Sequence, residues 1–133
     1  FLAVSFQPSC QFIVTMLKSH KDLIVWQKAL ELVKVIYVST RELPREELYG
    51  LSIQMRRAAV SIPSNISEGQ QRKNIREFLQ FLRIAYGSAA ELETQLLIAS
   101  DLYPKIDFNR DQALLKEIQK MLNVMIRKLE TRT

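Results

Sequence analysis

Apolar residues along this chain recur at steps of three and four, in four stretches separated by short turn signals. The third stretch is the most regular. Ile75, Phe78, Leu82, Ala85, Ala89, Leu92, Leu96 and Ala99 hold a single seam across it, and Asn74 followed by Glu77 marks its start as a helix cap. The small residues Ala85, Gly87, Ser88, Ala89 and Ala90 remove bulk from its middle, leaving room for a neighbouring backbone or a large residue such as Trp26. The fourth stretch follows a turn at Pro104 and a cap at Asp107 or Asn109. Its inward positions are Leu114, Leu115, Ile118, Leu122, Met125 and Leu129.

The first stretch opens on Ser19-His20-Lys21-Asp22, a serine followed three residues later by an acid, as in a capping box. It then carries two apolar stripes side by side. Leu23, Trp26, Leu30, Val33 and Tyr37 form one, and Val25, Ala29, Leu32 and Ile36 the other. A helix in a small monomeric bundle needs only one such face, so the doubled stripe predicts either a wide core face or cover from another subunit. The second helix is expected over residues 45–67, after the turn at Pro44, with Leu48, Leu51, Met55, Ala58, Ile62 and Ile66 inward and Gly69 as its terminating residue. Pro63 lies within it, which predicts a kink or short break at 59–61. Short connections join neighbours antiparallel. The fold class is therefore all-α: an antiparallel up-down-up-down four-helix bundle with helix two kinked at Pro63.

Within residues 54–69, QMRRAAVSIPSNISEG, a polar stripe interrupts the apolar pattern. At 100° per residue Arg57, Ser61, Ser64 and Glu68 fall within roughly a 60° arc, with Asn65 beside it. Arg57 facing Glu91 or Glu93 from the third helix would make a buried or half-buried ion pair, with Ser61 and Asn65 filling the remaining donors and acceptors. The structural polar network expected is Arg57, Ser61, Asn65, Glu68 and Glu91, and its role is to fix one packing register. Ligand binding is the rival role for these groups.

Composition narrows the class further. The chain has 133 residues, 47% hydrophobic and 25% charged, with only three glycines and four prolines, which suits one globular domain built of a few long helices. The first fifteen residues carry no charge and differ from the rest. They are too broken by polar residues to span a membrane and lack the basic start of a signal peptide, so Met16 is expected to be the translation start. Two parts follow: an extension over residues 1–18 and the bundle over 19–133. One cysteine, Cys10, makes no internal disulfide, and a cytoplasmic location is expected.

A net charge of +5 permits an anionic partner. In an alternating bundle, the start of helix one, the turn between helices two and three, and the end of helix four share one end. Lys18, Lys21, Arg72, Lys73, Arg76, Arg127, Lys128 and Arg132 face Asp22, Glu68, Glu77 and Glu130 there, a net of +4, whereas the other end sums to −2. The charge excess is thus a pole. Lys18, Lys21, Arg72, Lys73, Arg76, Arg127 and Lys128 are the candidate nucleic-acid contacts, Arg72-Lys73-Arg76 being best shaped for phosphate; the alternative is that they are simply solvated. Catalytic chemistry is not in evidence. His20 and Cys10 both precede the first helix, Ser61 has no histidine to serve it, and no zinc spacing, EF-hand or phosphate loop occurs. No enzyme activity, cofactor or metal is expected.

Asp22-Leu23, Val25-Trp26-Gln27-Lys28-Ala29, Tyr49-Gly50-Leu51, Gln54-Met55-Arg56-Arg57-Ala58, the run from Ser61-Ile62-Pro63-Ser64-Asn65 through Glu68-Gly69, Ala85-Tyr86-Gly87-Ser88 and Glu91-Leu92-Glu93-Thr94-Gln95-Leu96 occur in that order. This set resembles the bacterial four-helix-bundle proteins named for 23S rRNA intervening sequences; Ser67 stands where that family usually has alanine. The resemblance implies a homopentameric ring, related to the accessory variability protein of diversity-generating retroelements, a basic pentamer that binds nucleic acid and a reverse transcriptase. A ring would repeat the basic pole and raise its avidity. The function expected is a nonenzymatic oligomeric binder of RNA or DNA, with structured RNA such as rRNA foremost and self-association into a pentamer. The alternative is an oligomeric scaffold for a protein partner; a membrane partner is not expected.

Overall fold

The computed structural model describes residues 23–133, which form a four-helix bundle without strands. Helix α1 spans Ile24–Thr40, α2 Leu51–Gln71, α3 Ile75–Leu102 and α4 Asn109–Glu130, with a 3-10 turn at Arg45–Glu47 before α2. Each helix packs on its neighbours in sequence, and α4 against α1 closes the circuit. Along α2 and α3 the contacts run in opposed order. Ser61 meets Ser88, whereas Gly69, further along α2, lies against Phe81 and Phe78. Between α3 and α4, Arg83 meets Glu130 and Glu93 meets Gln119.

One core fills the bundle. Leu32, Ile36, Met55, Ile62, Ile66, Leu82, Leu92, Leu96, Leu115, Ile118 and Leu122 are its largest fully buried side chains. These are the residues that the three-and-four spacing points inward, and burying one such side chain is worth about 1.5–3 kcal/mol. In α1 the stripe Val25, Ala29, Leu32, Ile36 is buried. Trp26, Leu30 and Val33 of the second stripe are half-buried, and Tyr37 is exposed. The cap of α3 forms as its sequence predicts, with the Glu77 N–H donating to Asn74 Oδ1 at 3.1 Å. At α4 the Asn109 N–H donates to Asp107 Oδ1 at 2.9 Å. The Ser19–Asp22 capping box lies outside the described residues.

Helix α2 differs from its sequence-based expectation at both ends. Residues 45–47 form a 3-10 turn rather than the first α-helical turn, and Leu48 is 47% exposed instead of lying in the seam. The Glu47 carboxylate governs this entry. It accepts from the Leu51 N–H at 3.1 Å and from Tyr103 Oη at 2.5 Å, so one side chain caps α2 and ties it to the end of α3. At the other end Gly69 is a buried residue inside the helix, not its terminator. A Cβ there would stand 2.6 Å from Phe81 Cβ, so glycine is required by the close approach of α3. Helical assignment continues through Pro63 without a break at 59–61. Lys73, with φ 54, ends the helix by entering the left-handed region.

Candidate functional site

The polar stripe of α2 divides on its surroundings. Ser61 Oγ lies 2.8 Å from Ser88 Oγ across the α2–α3 contact, and Asn65 Nδ2 donates to Ser61 O and Oγ at 2.8 and 2.9 Å. The opposing Ser88 comes from the small-residue cluster of α3, whose reduced bulk lets two hydroxyls meet. Arg57, Glu68 and Glu91 stand outside this group. Arg57 is exposed and makes no ion pair with Glu91 or Glu93, because its place on the helix points to solvent rather than to α3. Glu91 accepts instead from Gln95 Nε2 at 3.4 Å and Glu93 from Gln119 Nε2 at 3.3 Å, each with α3 supplying the acid. No histidine or cysteine occurs among the described residues, so Ser61 has no such base to activate it.

The α2–α3 turn is more polarised. Arg72 sits between Glu68 and Glu77, at 3.5 and 3.7 Å, with its guanidinium 5.2 Å from the Phe81 ring centre. Exposed pairs of this kind contribute about 0–1 kcal/mol, so their main effect here is to orient Arg72 across the turn. Both acids of the turn are thereby engaged with Arg72. Lys73 and Arg76 are exposed and form no ion pair among the described residues. Arg76 also lines a shallow groove with Leu79, Gln80, Arg83 and Thr133, which brings the chain end after α4 beside the start of α3. Arg127 and Lys128 are exposed in the last turn of α4, where cations oppose the negative end of the helix dipole. Lys18 and Lys21 lie outside the described residues.

A buried carboxylate escaped the sequence reading. Asp111 is 1% exposed in the first turn of α4, accepts from Ser39 Oγ at 3.0 Å through Oδ1, and has no protein partner at Oδ2. Burial pushes its pKa above the ordinary carboxylate value; the Ser39 hydrogen bond and the nearby backbone act in the opposite direction. Its register could have revealed it, since Asp111 precedes Leu114, Leu115 and Ile118 by three, four and seven residues and so belongs to the core seam. No group of three or more His, Cys, Asp or Glu able to hold a metal ion occurs among the described residues. Nor is any helix there long and apolar enough to cross a membrane.

The family model described as "23S rRNA-intervening sequence protein" matches residues 21–124. The chain belongs to this family. The match spans all four helices up to the last turns of α4 and so includes both the Ser61–Asn65–Ser88 group and the Arg72–Arg76 turn. A similar solved structure is a protein of unknown function from the S23 ribosomal protein family of Bacteroides thetaiotaomicron. The two are 25% identical with a TM-score of 0.70, over 78% of this chain and 99% of that one. Comparison with curated proteins gives no match.

Proposed function

We propose that this family member is a nonenzymatic, homo-oligomeric nucleic-acid-binding protein of the cytoplasm. It engages structured RNA such as rRNA through phosphate contacts at its basic pole, and by resemblance it assembles as a pentamer. The observation that carries the reading is Lys73. A lysine held at φ 54 costs about 1 kcal/mol relative to glycine, which adopts that backbone freely, yet a cation occupies the tip of the turn. Arg72 is engaged by Glu68 and Glu77, and with Lys73 and Arg76 the turn carries three basic and two acidic groups, a net charge of +1. Arg127 and Lys128 extend the pole, while Lys18 and Lys21 lie outside the described residues.

In this reading the helices alternate up, down, up and down, as the opposed contact registers support, and α2 bends at Pro63, whose ring deprives Ala59 of its usual N–H partner. Self-association covers apolar surface left open in one copy, including Leu97, Ile98 and Leu102, exposed by 56, 43 and 59%. The same surface favours the second reading, a scaffold for a protein partner.

Solution mass measurement followed by gel shifts on rRNA fragments over a salt series tests the proposal. Reversing Lys73 and Arg76 to glutamate should weaken binding and flatten its salt dependence, each lost duplex phosphate contact removing roughly 0.9 from the log–log slope. Unchanged affinity and slope in the folded double variant would refute the basic-pole model. A nuclease-resistant protein partner, with no RNA shift, would favour the scaffold.

A further inference from the structure

At the other end of α2, about 30 Å away along its 21 residues, a concavity opens where α1 ends and the 3-10 turn begins. Eight residues line it: Thr40, Arg41, Leu43, Pro44, Arg45, Leu48, Ser52 and Arg56. Three are arginines and none is acidic, although this end of the bundle carries a net negative charge. Arg41 and Arg45 are exposed and make no ion pair among the described residues, even with Glu42 and Glu46 beside them in sequence. Arg56 is held in place: Nε donates to Thr40 Oγ1 at 2.9 Å, Nη2 donates to Tyr37 O at 3.4 Å, and the guanidinium lies 4.6 Å from the Tyr37 ring centre. Its Nη1 is left for another acceptor. Ser52 adds a hydroxyl, and Leu43, Pro44 and Leu48 supply an apolar flank.

We propose that this pocket binds a small phosphate monoester, the dianionic phosphate between Arg41, Arg45 and Arg56 and the organic group against Leu48. A planar guanidinium pairs its N–H groups with phosphate oxygens in a bidentate fork, and a pre-positioned one loses less freedom on binding. The cavity, about 320 Å³, takes a mononucleotide-sized molecule as well as the phosphate alone. This site is independent of the basic pole and does not require that reading.

Calorimetric titration with AMP, inorganic phosphate and adenosine, at matched ionic strength, tests it. AMP and phosphate should compete for one site and adenosine should fail to bind. R41Q/R45Q should weaken AMP by about tenfold or more, the loss expected for charged hydrogen bonds, while K73E/R76E should leave it unchanged. The substituted arginines are exposed and Arg56 is retained, so the fold is preserved, as circular dichroism checks. Competition between AMP and phosphate in the unaltered protein provides a second test. Absence of AMP binding, equal binding of adenosine, affinity retained in folded R41Q/R45Q, or loss of affinity in K73E/R76E would each overturn the proposal.

Discussion

Replacing Gly69 with alanine adds one methyl group where α2 and α3 approach most tightly. The new Cβ would lie 2.6 Å from Phe81 Cβ, 3.1 Å from Phe78 Cδ1 and 3.3 Å from Phe81 Cγ. Phe78 is itself buried in the core at 3% exposed and Phe81 Cβ is fixed to the α3 backbone, so relief of the closest contact requires the helices to separate by several tenths of an ångström. Overpacking of this kind costs about 1–3 kcal/mol. Alanine is favoured over glycine within a helix by up to about 1 kcal/mol, which offsets part of that cost. The expected net loss is about 0–2 kcal/mol, equivalent to a fall in melting temperature of up to roughly 8 °C for a domain of this size. Urea unfolding at fixed protein concentration should show an earlier midpoint with an unchanged slope. Gly87 is the control. It is exposed within α3, a Cβ there meets nothing within 4 Å, and Gly87→Ala should stabilise by up to about 1 kcal/mol. Equal stabilisation by the two substitutions would refute the close-approach argument.

Other consequences follow from the same contacts. The raised pKa of Asp111 means that the folded state holds its proton more tightly than the unfolded chain does, so stability falls as pH rises from about 3.8 through the folded value. Asp111→Asn should therefore gain on the unaltered protein as pH rises above about 4, measured by urea midpoints; a constant difference would remove burial as the cause. Tyr103 is pushed up to about 12 chiefly by its hydrogen bond to Glu47, so stability should fall as pH rises from 10 towards 12, and Tyr103→Phe should flatten that slope in thermal melts. The same bond holds the Glu47 carboxyl below its usual range, giving stability that is lost as pH falls through the folded value, which Tyr103→Phe should also diminish. Lys73→Gly should stabilise by about 1 kcal/mol while weakening RNA binding, and an unchanged gel shift would separate the turn's geometry from its proposed role.

Periodicity sufficed where one face of a helix meets one core. Ile75 through Ala99 and Leu114 through Leu129 reveal most of their inward positions because apolar burial repeats with the helix itself, although Ile75 and Met125 are only half-buried and Ile126 is buried in place of Met125; Asn74 acts within a single turn. Gly69 was misread for a physical reason: a terminating glycine and a glycine that admits a neighbouring helix look alike until Phe81 is placed opposite it. Arg57 was assigned inward because its angular distance from Ser61 is small. Exposure changes sharply across that arc, and only the position of α3 fixes where. The entry to α2 was hidden by Leu48, whose apolar character fits the seam although the 3-10 turn leaves it exposed.

The polar groups of α2 therefore serve two ends. Ser61 and Asn65, with Ser88, satisfy one another where small residues bring α2 and α3 together, and such mutual satisfaction specifies register without leaving much to offer a ligand. Arg72 similarly consumes the acids of the turn, Glu68 and Glu77. Its single positive charge offsets one of the two carboxylates, so with Lys73 and Arg76 the turn keeps a net charge of +1. A variant that removes Arg72 would thus lose one cation and release two acids beside the remaining two, taking the turn from +1 to 0, so Arg72→Ala should weaken the proposed RNA binding in gel shifts, and unchanged affinity in the folded variant would remove Arg72 from the proposed contacts.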